Sequence, residues 1–109
     1  MLIINGVNVF PMQIEQTLMR LPGVGHDYLI EIHEENYMDK LHVSVELARD
    51  AFQGTLSQVE GLQARVTDEL KAELGVAPAV TIVEAGSLPV SEGKAQRVKD
   101  LRPHPGLGG

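Results

Sequence analysis

Two neighbouring segments with alternating apolar residues constrain the fold of this chain most. In residues 41–47 (LHVSVEL) the apolar side chains point to one side, and His42, Ser44 and Glu46 point to the other. Residues 28–33 (YLIEIH) alternate in the same way. Strands with one apolar and one wet face are typical of an antiparallel sheet. Because the polar connection over residues 34–40 is short, the two strands are predicted to form an antiparallel hairpin.

A helix is predicted on each side of this hairpin. Over residues 11–21 the apolar side chains recur at i, i+4 and i+7, and Pro11 suits the first helical position. The second helix carries a longer stripe, spaced by three or four residues, and Gly75 is well placed to end it. Thr55 and Ser57 each begin a possible capping box for this helix. The stripe comprises Leu56, Val59, Leu62, Val66, Leu70 and Leu74.

Short extended segments complete the pattern. Residues 1–4 form an apolar run that stops at the turn signal Asn5-Gly6, residues 80–83 indicate a third core strand, and residues 98–101 a short edge piece. The order β-α-β-β-α-β predicts an α+β fold, a small antiparallel sheet with helices packed on one face. We expect one domain over residues 1–102 and a disordered Pro/Gly-rich tail over residues 103–109.

Composition excludes several function classes. The chain has 109 residues and a net charge of −6, which argues against general binding to nucleic acid or to anionic membranes. It has no cysteine, so disulfides and thiolate metal sites are excluded, and a reducing cytoplasm fits this composition. No apolar run approaches the roughly 20 residues that span a bilayer, and no secretory signal peptide is evident. A cytoplasmic location is expected.

The spacing of the four histidines does not indicate a metal site, and none is predicted. His33 and His42 could face each other across the hairpin, but two imidazoles without a third ligand at useful spacing make a weak site. The carboxylate pairs at Glu34-Glu35 and Glu69-Glu73 are best interpreted as solvated faces. No motif for a nucleophilic serine is present.

Two features remain that could bind a ligand. Four of the nine Lys and Arg residues fall within nine positions, as Lys94, Arg97, Lys99 and Arg102. Lys94 follows Gly93, and a lysine on a glycine-bearing loop can place a point charge beside phosphate or carboxylate oxygens. The alternative is a solvated basic tail. At the other end of the sequence, Gly6 could let a ligand pass close to the backbone.

Considered together, these two segments resemble a known family. Residues 1–15 (MLIINGVNVFPMQIE) and residues 86–98 (GSLPVSEGKAQRV) are similar to the C-terminal domain of the phenylacetate–coenzyme A ligase family, within the adenylate-forming acyl-CoA synthetases. The first segment is similar to the part that follows the interdomain hinge, and the second to the catalytic-lysine loop. The resemblance covers nearly the whole chain, from Met1 to Arg102.

The resemblance implies a mobile domain in a two-step ligase. ATP and coenzyme A are the implied co-substrates, with Mg²⁺ in the full-length enzyme, and none of them is expected to bind this domain alone. The implied partners are an N-terminal adenylation domain and an aryl-acetic acid. That domain would hold most of the binding site for ATP and for the acid. Lys94 is the implied catalytic residue of adenylation. The implied loop-supporting residues are Pro89, Ser91 and Gly93, and those of the coenzyme A channel are Asn5, Gly6 and Val7.

Two departures from the family pattern, and one alternative, stay open at this point. Val90 stands where relatives usually have a basic residue, and the hinge acid expected just before Met1 is not in the chain. The chain is therefore expected to be a fragment, inactive alone. The alternative is a ferredoxin-like regulatory module that binds a small molecule and dimerises. An interaction scaffold would explain neither motif. The acid substrate stays open, with phenylacetate as the family's namesake.

Overall fold

A computed structural model describes residues 1–49, 55–88 and 97–103. Within these residues the chain forms two helices, α1 over Pro11–Arg20 and α2 over Leu56–Leu74. The strands are β1 over Leu2–Ile4, β2 over Val7–Val9, β3 over Val24–Glu35, β4 over Met38–Leu47, β5 over Ala79–Val83 and β6 over Val98–Asp100. The predicted α+β class is confirmed.

The main sheet has four strands in the order β5-β4-β3-β6. Its centre is the predicted antiparallel hairpin, in which Ile30 lies opposite Val43 and Ile32 opposite Leu41. The outer strands run parallel to their neighbours, β5 to β4 and β6 to β3, so the sheet is mixed. The period of two predicts which face a side chain occupies, but it carries no information on strand direction. The crossover through α2 brings β5 back parallel to β4.

The first two strands form a separate hairpin. β1 and β2 pair with each other in an antiparallel two-stranded sheet, joined by the turn at Asn5 and Gly6. Both turn residues have positive φ, 49° for Asn5 and 83° for Gly6. Positive φ at two central residues is typical of the tight hairpin turn that asparagine and glycine favour. The turn predicted after residues 1–4 is confirmed.

Local hydrogen bonds define the helix ends. The Phe10 N–H donates to the Gln13 side-chain oxygen at 2.9 Å, and Pro11 follows at the first helical position. Of the two possible caps of α2, Thr55 is the observed one, and its hydroxyl accepts from the Gln58 N–H at 3.3 Å. Gly75 ends α2 with φ 81°, as predicted. The apolar stripe of α2 begins later than predicted, because the Leu56 side chain is 73% exposed.

The core lies on one face of the main sheet, where both helices pack. Fully buried side chains come from both helices and from the central strands β3 and β4, among them Leu18, Ile30, Val43 and Leu70. The opposite face differs from its prediction. Ser44 and Glu46 were expected in water, yet they are only 8% and 5% exposed. In the part of the chain that the structure describes, neither helix is long and apolar enough to cross a membrane.

Candidate functional site

The Asn5-Gly6 turn is bound to the beginning of β4. The Asn5 N–H donates to Asp39 Oδ2 at 2.8 Å, and its side-chain amide donates to the Asp39 carbonyl at 2.9 Å. The Asp39 N–H in turn donates to Asn5 Oδ1 at 2.8 Å. Three hydrogen bonds between two residues 34 positions apart fix the turn at one end of the main sheet.

Arg102 extends this contact to the segment after β6. Its guanidinium donates to the Ile3 carbonyl at 2.8 Å and lies 3.4 Å from an Asp39 carboxylate oxygen. It also pairs with Asp100 at 2.6 Å and 2.8 Å. Hydrogen bonding to Arg102 lowers the pKa of Asp100 below its ordinary value, and Asp100 raises the pKa of Arg102. We call Ile3, Asn5, Asp39, Asp100 and Arg102 the corner cluster.

The predicted channel residues differ in their exposure. Asn5 and Gly6 are exposed, and a Cβ added at Gly6 meets no atom within 4 Å. Val7 instead packs partly buried against the core. Asn5 borders an open groove of about 520 Å³, together with Asp39, Lys40 and residues 76–79. Gly6 therefore has open space beside it, whereas Asn5 is exposed but bonded to Asp39, and the channel role of Asn5, Gly6 and Val7 stays a prediction.

The predicted catalytic residue and its neighbours lie outside the described residues. This applies to Lys94 and to the predicted supporting residues Pro89, Ser91 and Gly93, as well as to Val90. The described residues nearest to Lys94 are Leu88 before it and Arg97 after it. The structure describes how each of these two flanks is held.

Glu46 holds the flank before Lys94. After β5, a turn closed by the Ser87 N–H and the Glu84 carbonyl folds the chain back, with Gly86 at φ 83°. The turn brings two backbone donors onto the buried carboxylate: the Gly86 N–H binds Oε1 at 2.8 Å and the Leu88 N–H binds Oε2 at 2.9 Å. Burying a carboxylate is costly unless it is hydrogen-bonded, and these two bonds satisfy both oxygens.

Arg97 holds the flank after Lys94. Its guanidinium lies 3.4 Å from Asp27, 3.9 Å from Glu15 and 4.9 Å from the ring centre of Tyr28, a cation–π distance. Burial raises the pKa of Tyr28, and the hydrogen bond with Arg97 opposes that rise. Arg97 and Arg102 are each paired with carboxylates and are mostly buried. Both interpretations of the basic cluster are therefore wrong for these two arginines, which are neither a solvated tail nor an open anion site.

The Asn5-Gly6 turn and the described flank before Lys94 are bonded to opposite ends of β4. Asp39, bonded to the Asn5 turn, and Glu46, bonded to the flank of the lysine segment, are seven residues apart on this strand. At about 3.3 Å per residue, the strand separates them by about 23 Å. One strand therefore holds both the turn and this flank.

The wet face of the hairpin carries a group that the sequence analysis did not anticipate. Glu31, His33 and His42 offer ligand atoms within 4.8 Å of one another, so Glu31 supplies the third group that the spacing argument lacked. His42 Nε2 lies 2.7 Å from the Thr81 hydroxyl, its Nδ1 lies 3.6 Å from Glu31, and the register places Lys99 beside Glu31. We interpret this group as a polar contact across three strands, and the prediction of no metal site stays a prediction.

Comparison with known proteins identifies the family. The AMP-binding enzyme C-terminal domain matches residues 6–102 of the 109. The chain belongs to this family. The match includes the Asn5-Gly6 turn from Gly6 onward, β3 and β4, both flanks of the lysine segment, and Arg102.

Individual relatives are phenylacetate–coenzyme A ligases. The Escherichia coli enzyme is 39% identical over 102 residues, covering 94% of this chain and 23% of that enzyme. The Aromatoleum evansii enzyme is 38% identical, with 94% of this chain and 24% of the enzyme covered. The chain therefore spans about a quarter of the length of these relatives.

Solved structures of the family agree with the fold. A domain of phenylacetate–coenzyme A ligase from Bacteroides vulgatus is 40% identical, with a TM-score of 0.84, covering 94% of this chain and 92% of that domain. 2-Hydroxyisobutyryl-CoA ligase, solved with 2-HIB-AMP and CoA in its thioesterification state, gives a TM-score of 0.84 at 29% identity, covering 92% of this chain and 21% of that chain. The resemblance drawn from the two motifs is confirmed.

Sequence reasoning missed Glu46 and Asp39 as organising residues. The alternation of β4 predicts the face on which Glu46 lies, but it cannot reveal that a turn 40 residues later covers that face. Asp39 was treated as part of a polar connection. No local signal points to it, because asparagine side chains in turns usually bond to backbone about two residues away, whereas Asp39 is 34 positions from Asn5.

Proposed function

We propose that this chain is the C-terminal mobile domain of an ATP-dependent ligase that joins an aryl-acetic acid to coenzyme A. In the first step, a carboxylate oxygen of the acid attacks the α-phosphorus of ATP, and the bond to pyrophosphate breaks to leave an acyl-adenylate. In the second step, the thiol sulfur of coenzyme A attacks the acyl carbon, loses its proton and expels AMP. Mg²⁺ would accompany ATP in the complete enzyme.

Lys94 is the proposed catalytic residue of the first step. Its ammonium would contact the attacking carboxylate and the α-phosphate oxygens, stabilise the negative charge there, and hold the reactants in line. Residues Pro89, Ser91 and Gly93 would support its loop. Removing one such donor typically costs about 3–4 kcal/mol in the barrier.

The Asn5-Gly6 turn is the proposed contact with coenzyme A in the second step. The observations that support it are the exposure of both residues and the open space at Gly6. A glycine suits this position, because a side chain would narrow the passage for the thiol arm. Val7 completes the proposed channel lining, and its partly buried side chain also packs the hairpin onto the core.

The observation that supports the proposal most directly is the likeness to phenylacetate–coenzyme A ligase domains at 40% identity and a TM-score of 0.84. The separation along β4 between the Asn5-Gly6 turn and the flank before Lys94 suits a domain that presents a different surface in each step. The ferredoxin-like alternative has less support, since β1 and β2 pair with each other instead of joining the main sheet.

A chimera tests the proposal. This chain replaces the matching C-terminal segment of the Escherichia coli relative, with wild-type and Lys94→Ala versions. Phenylacetate-dependent exchange between ATP and pyrophosphate measures the first step, and thioester formation from preformed phenylacetyl-adenylate measures the second. We expect Lys94→Ala to reduce exchange by 100-fold or more, on the order of the loss of one such donor, with the second step largely intact.

Two results would contradict this proposal. A folded chimera that is inactive in both steps would argue against the ligase assignment, and unchanged exchange in Lys94→Ala would remove the role of the lysine. The chain alone is expected to be inactive and to bind neither ATP nor coenzyme A tightly. A metabolite that binds the isolated chain and drives its dimerisation would favour the regulatory module instead.

A further inference from the structure

Glu46 is a buried charged residue for which the two-step chemistry has no direct use. It lies on the sheet face opposite the helices, near the end of β4, and Val83 of β5 is its partner in the sheet register. Only 5% of the residue is exposed. Its two carboxylate oxygens accept the N–H groups of Gly86 and Leu88, which immediately precede the segment that carries Lys94.

The hydrogen bonds of Glu46 do not stabilise a regular element. They bind β4 to a turn that is not part of the sheet. Within that turn, the Ser87 N–H donates to the Glu84 carbonyl. The Gly86 conformation, with φ 83°, is one that side chains rarely adopt, and the Gly86 N–H donates to Glu46 Oε1. A buried acid thus holds the backbone at Gly86 and Leu88.

The position of this contact gives it a consequence for the proposed reaction. Lys94 lies six residues after Leu88 and three before Arg97, and Arg97 is itself held by Asp27, Glu15 and Tyr28. Fixing both ends of a short segment reduces the number of conformations that its middle can adopt. Small errors in the position of a catalytic group are costly, since a displacement of about 1 Å can cost about 100-fold in rate.

We infer that Glu46 is a positioning residue for adenylation: through the Gly86 and Leu88 N–H groups it sets the base of the segment that carries Lys94. The inference rests on the proposed function, and it assigns Glu46 no contact with substrate. A change at Glu46 is expected to affect adenylation but not thioester formation. The reason is that the Asn5-Gly6 turn lies at the other end of β4 and is held by Asp39 rather than by Glu46.

Amide hydrogen exchange on the 109-residue chain tests the contact itself. Glu46→Gln keeps the shape of the side chain but replaces one acceptor oxygen with a donor. We expect exchange of the Gly86 and Leu88 amides to accelerate by tenfold or more, while the Ser87 amide, which bonds to Glu84, changes less. Ser44→Ala is the matched control, because Ser44 is also buried and lies two residues earlier on the same strand face. Unchanged protection of both amides would overturn the inference.

The chimera tests the functional role. We expect Glu46→Gln to lower ATP–pyrophosphate exchange by about tenfold through kcat, with thioester formation from preformed adenylate unchanged and Ser44→Ala like wild type. Equal losses in both steps would mean a merely structural role and would overturn the inference. If Glu46→Gln does not fold, Gly86→Ala perturbs the donor side of the same contact and is expected to give the same separation of steps. Equal losses in Gly86→Ala, or no loss, would likewise overturn it.

Lys94→Ala in the same chimera distinguishes two kinds of failure. If Lys94→Ala abolishes exchange and Glu46→Gln leaves it intact, the inference fails while the proposed function stands. If Lys94→Ala has no effect on exchange, the proposed role of the lysine fails first, and the inference about Glu46 fails with it.

Discussion

Single residues hold this domain together through contacts far apart in sequence. Asn5 adopts φ 49°, a conformation that asparagine tolerates better than most residues, and it exchanges three hydrogen bonds with Asp39. Its side chain therefore contributes both to the turn and to the attachment of the β1–β2 hairpin to the main sheet.

Replacing Asn5 measures this attachment. Asn5→Ala removes two side-chain hydrogen bonds and places alanine at a positive φ, so we expect the free energy of unfolding to fall by about 1–2 kcal/mol. Urea denaturation of the 109-residue chain measures it. Asn8→Ala, an exposed change in β2 of the same hairpin, is the control and is expected to stay within about 0.5 kcal/mol of wild type. Equal effects from both changes would contradict this role of Asn5.

Asp100 gives the corner cluster a pH dependence. Arg102 lowers the pKa of Asp100 below the ordinary 3.8. The contribution of Asp100 to the free energy of unfolding is therefore fully present above that value, and it is lost as the pH falls toward the lowered pKa of the folded state. We expect Asp100→Asn to reduce the free energy of unfolding by about 1 kcal/mol at neutral pH, and the difference from wild type to shrink below about pH 4. Asp68→Asn on the exposed surface of α2 is the control. A difference that is constant from neutral to acid pH would argue against the ion pair.

At the scale of elements, the glycine inside α2 and the glycine that ends it have opposite effects on stability. Gly75 ends the helix at φ 81°, whereas Gly61 lies within it, and a Cβ there meets no atom within 4 Å. We expect Gly75→Ala to destabilise the domain by about 1 kcal/mol and Gly61→Ala to stabilise it by about 0.5–1 kcal/mol. Thermal unfolding of the two variants side by side measures this difference in sign. A shift of the same sign in both would show that backbone conformation does not decide the effect.

Helices and strands could be predicted where the spacing of apolar residues within the element itself identifies them. The alternation of residues 41–47 identified β4, and the spacing from Val66 to Leu74 identified the buried face of α2. The parallel directions of β5 and β6 were not predictable, because strand direction depends on where the connecting chain returns. The burial of Glu46 was missed for the same reason, since the turn that covers it comes 40 residues later. The turn at Asn5 and Gly6 carries its own signal and was predicted, whereas its partner Asp39 was not.

At the scale of the whole molecule, the two proposed steps can be perturbed separately. Gly6→Asn adds a side chain at the turn while using a residue that tolerates positive φ. In the chimera we expect thioester formation from preformed adenylate to fall by tenfold or more, because the added side chain narrows the proposed coenzyme A passage. ATP–pyrophosphate exchange in the same variant is the internal control and should change less than twofold. A loss confined to exchange would contradict the assignment of the turn to the second step.

The length of β4 has a consequence for the order of the proposed reaction. The turn at one end and the base of the lysine segment at the other are bonded to the same strand, about 23 Å apart. A rotation about an axis between the two ends carries one end toward a reaction centre and the other end away from it. With such an axis, the proposed contacts of the two steps would not form at the same time, so the two steps would use this domain in turn.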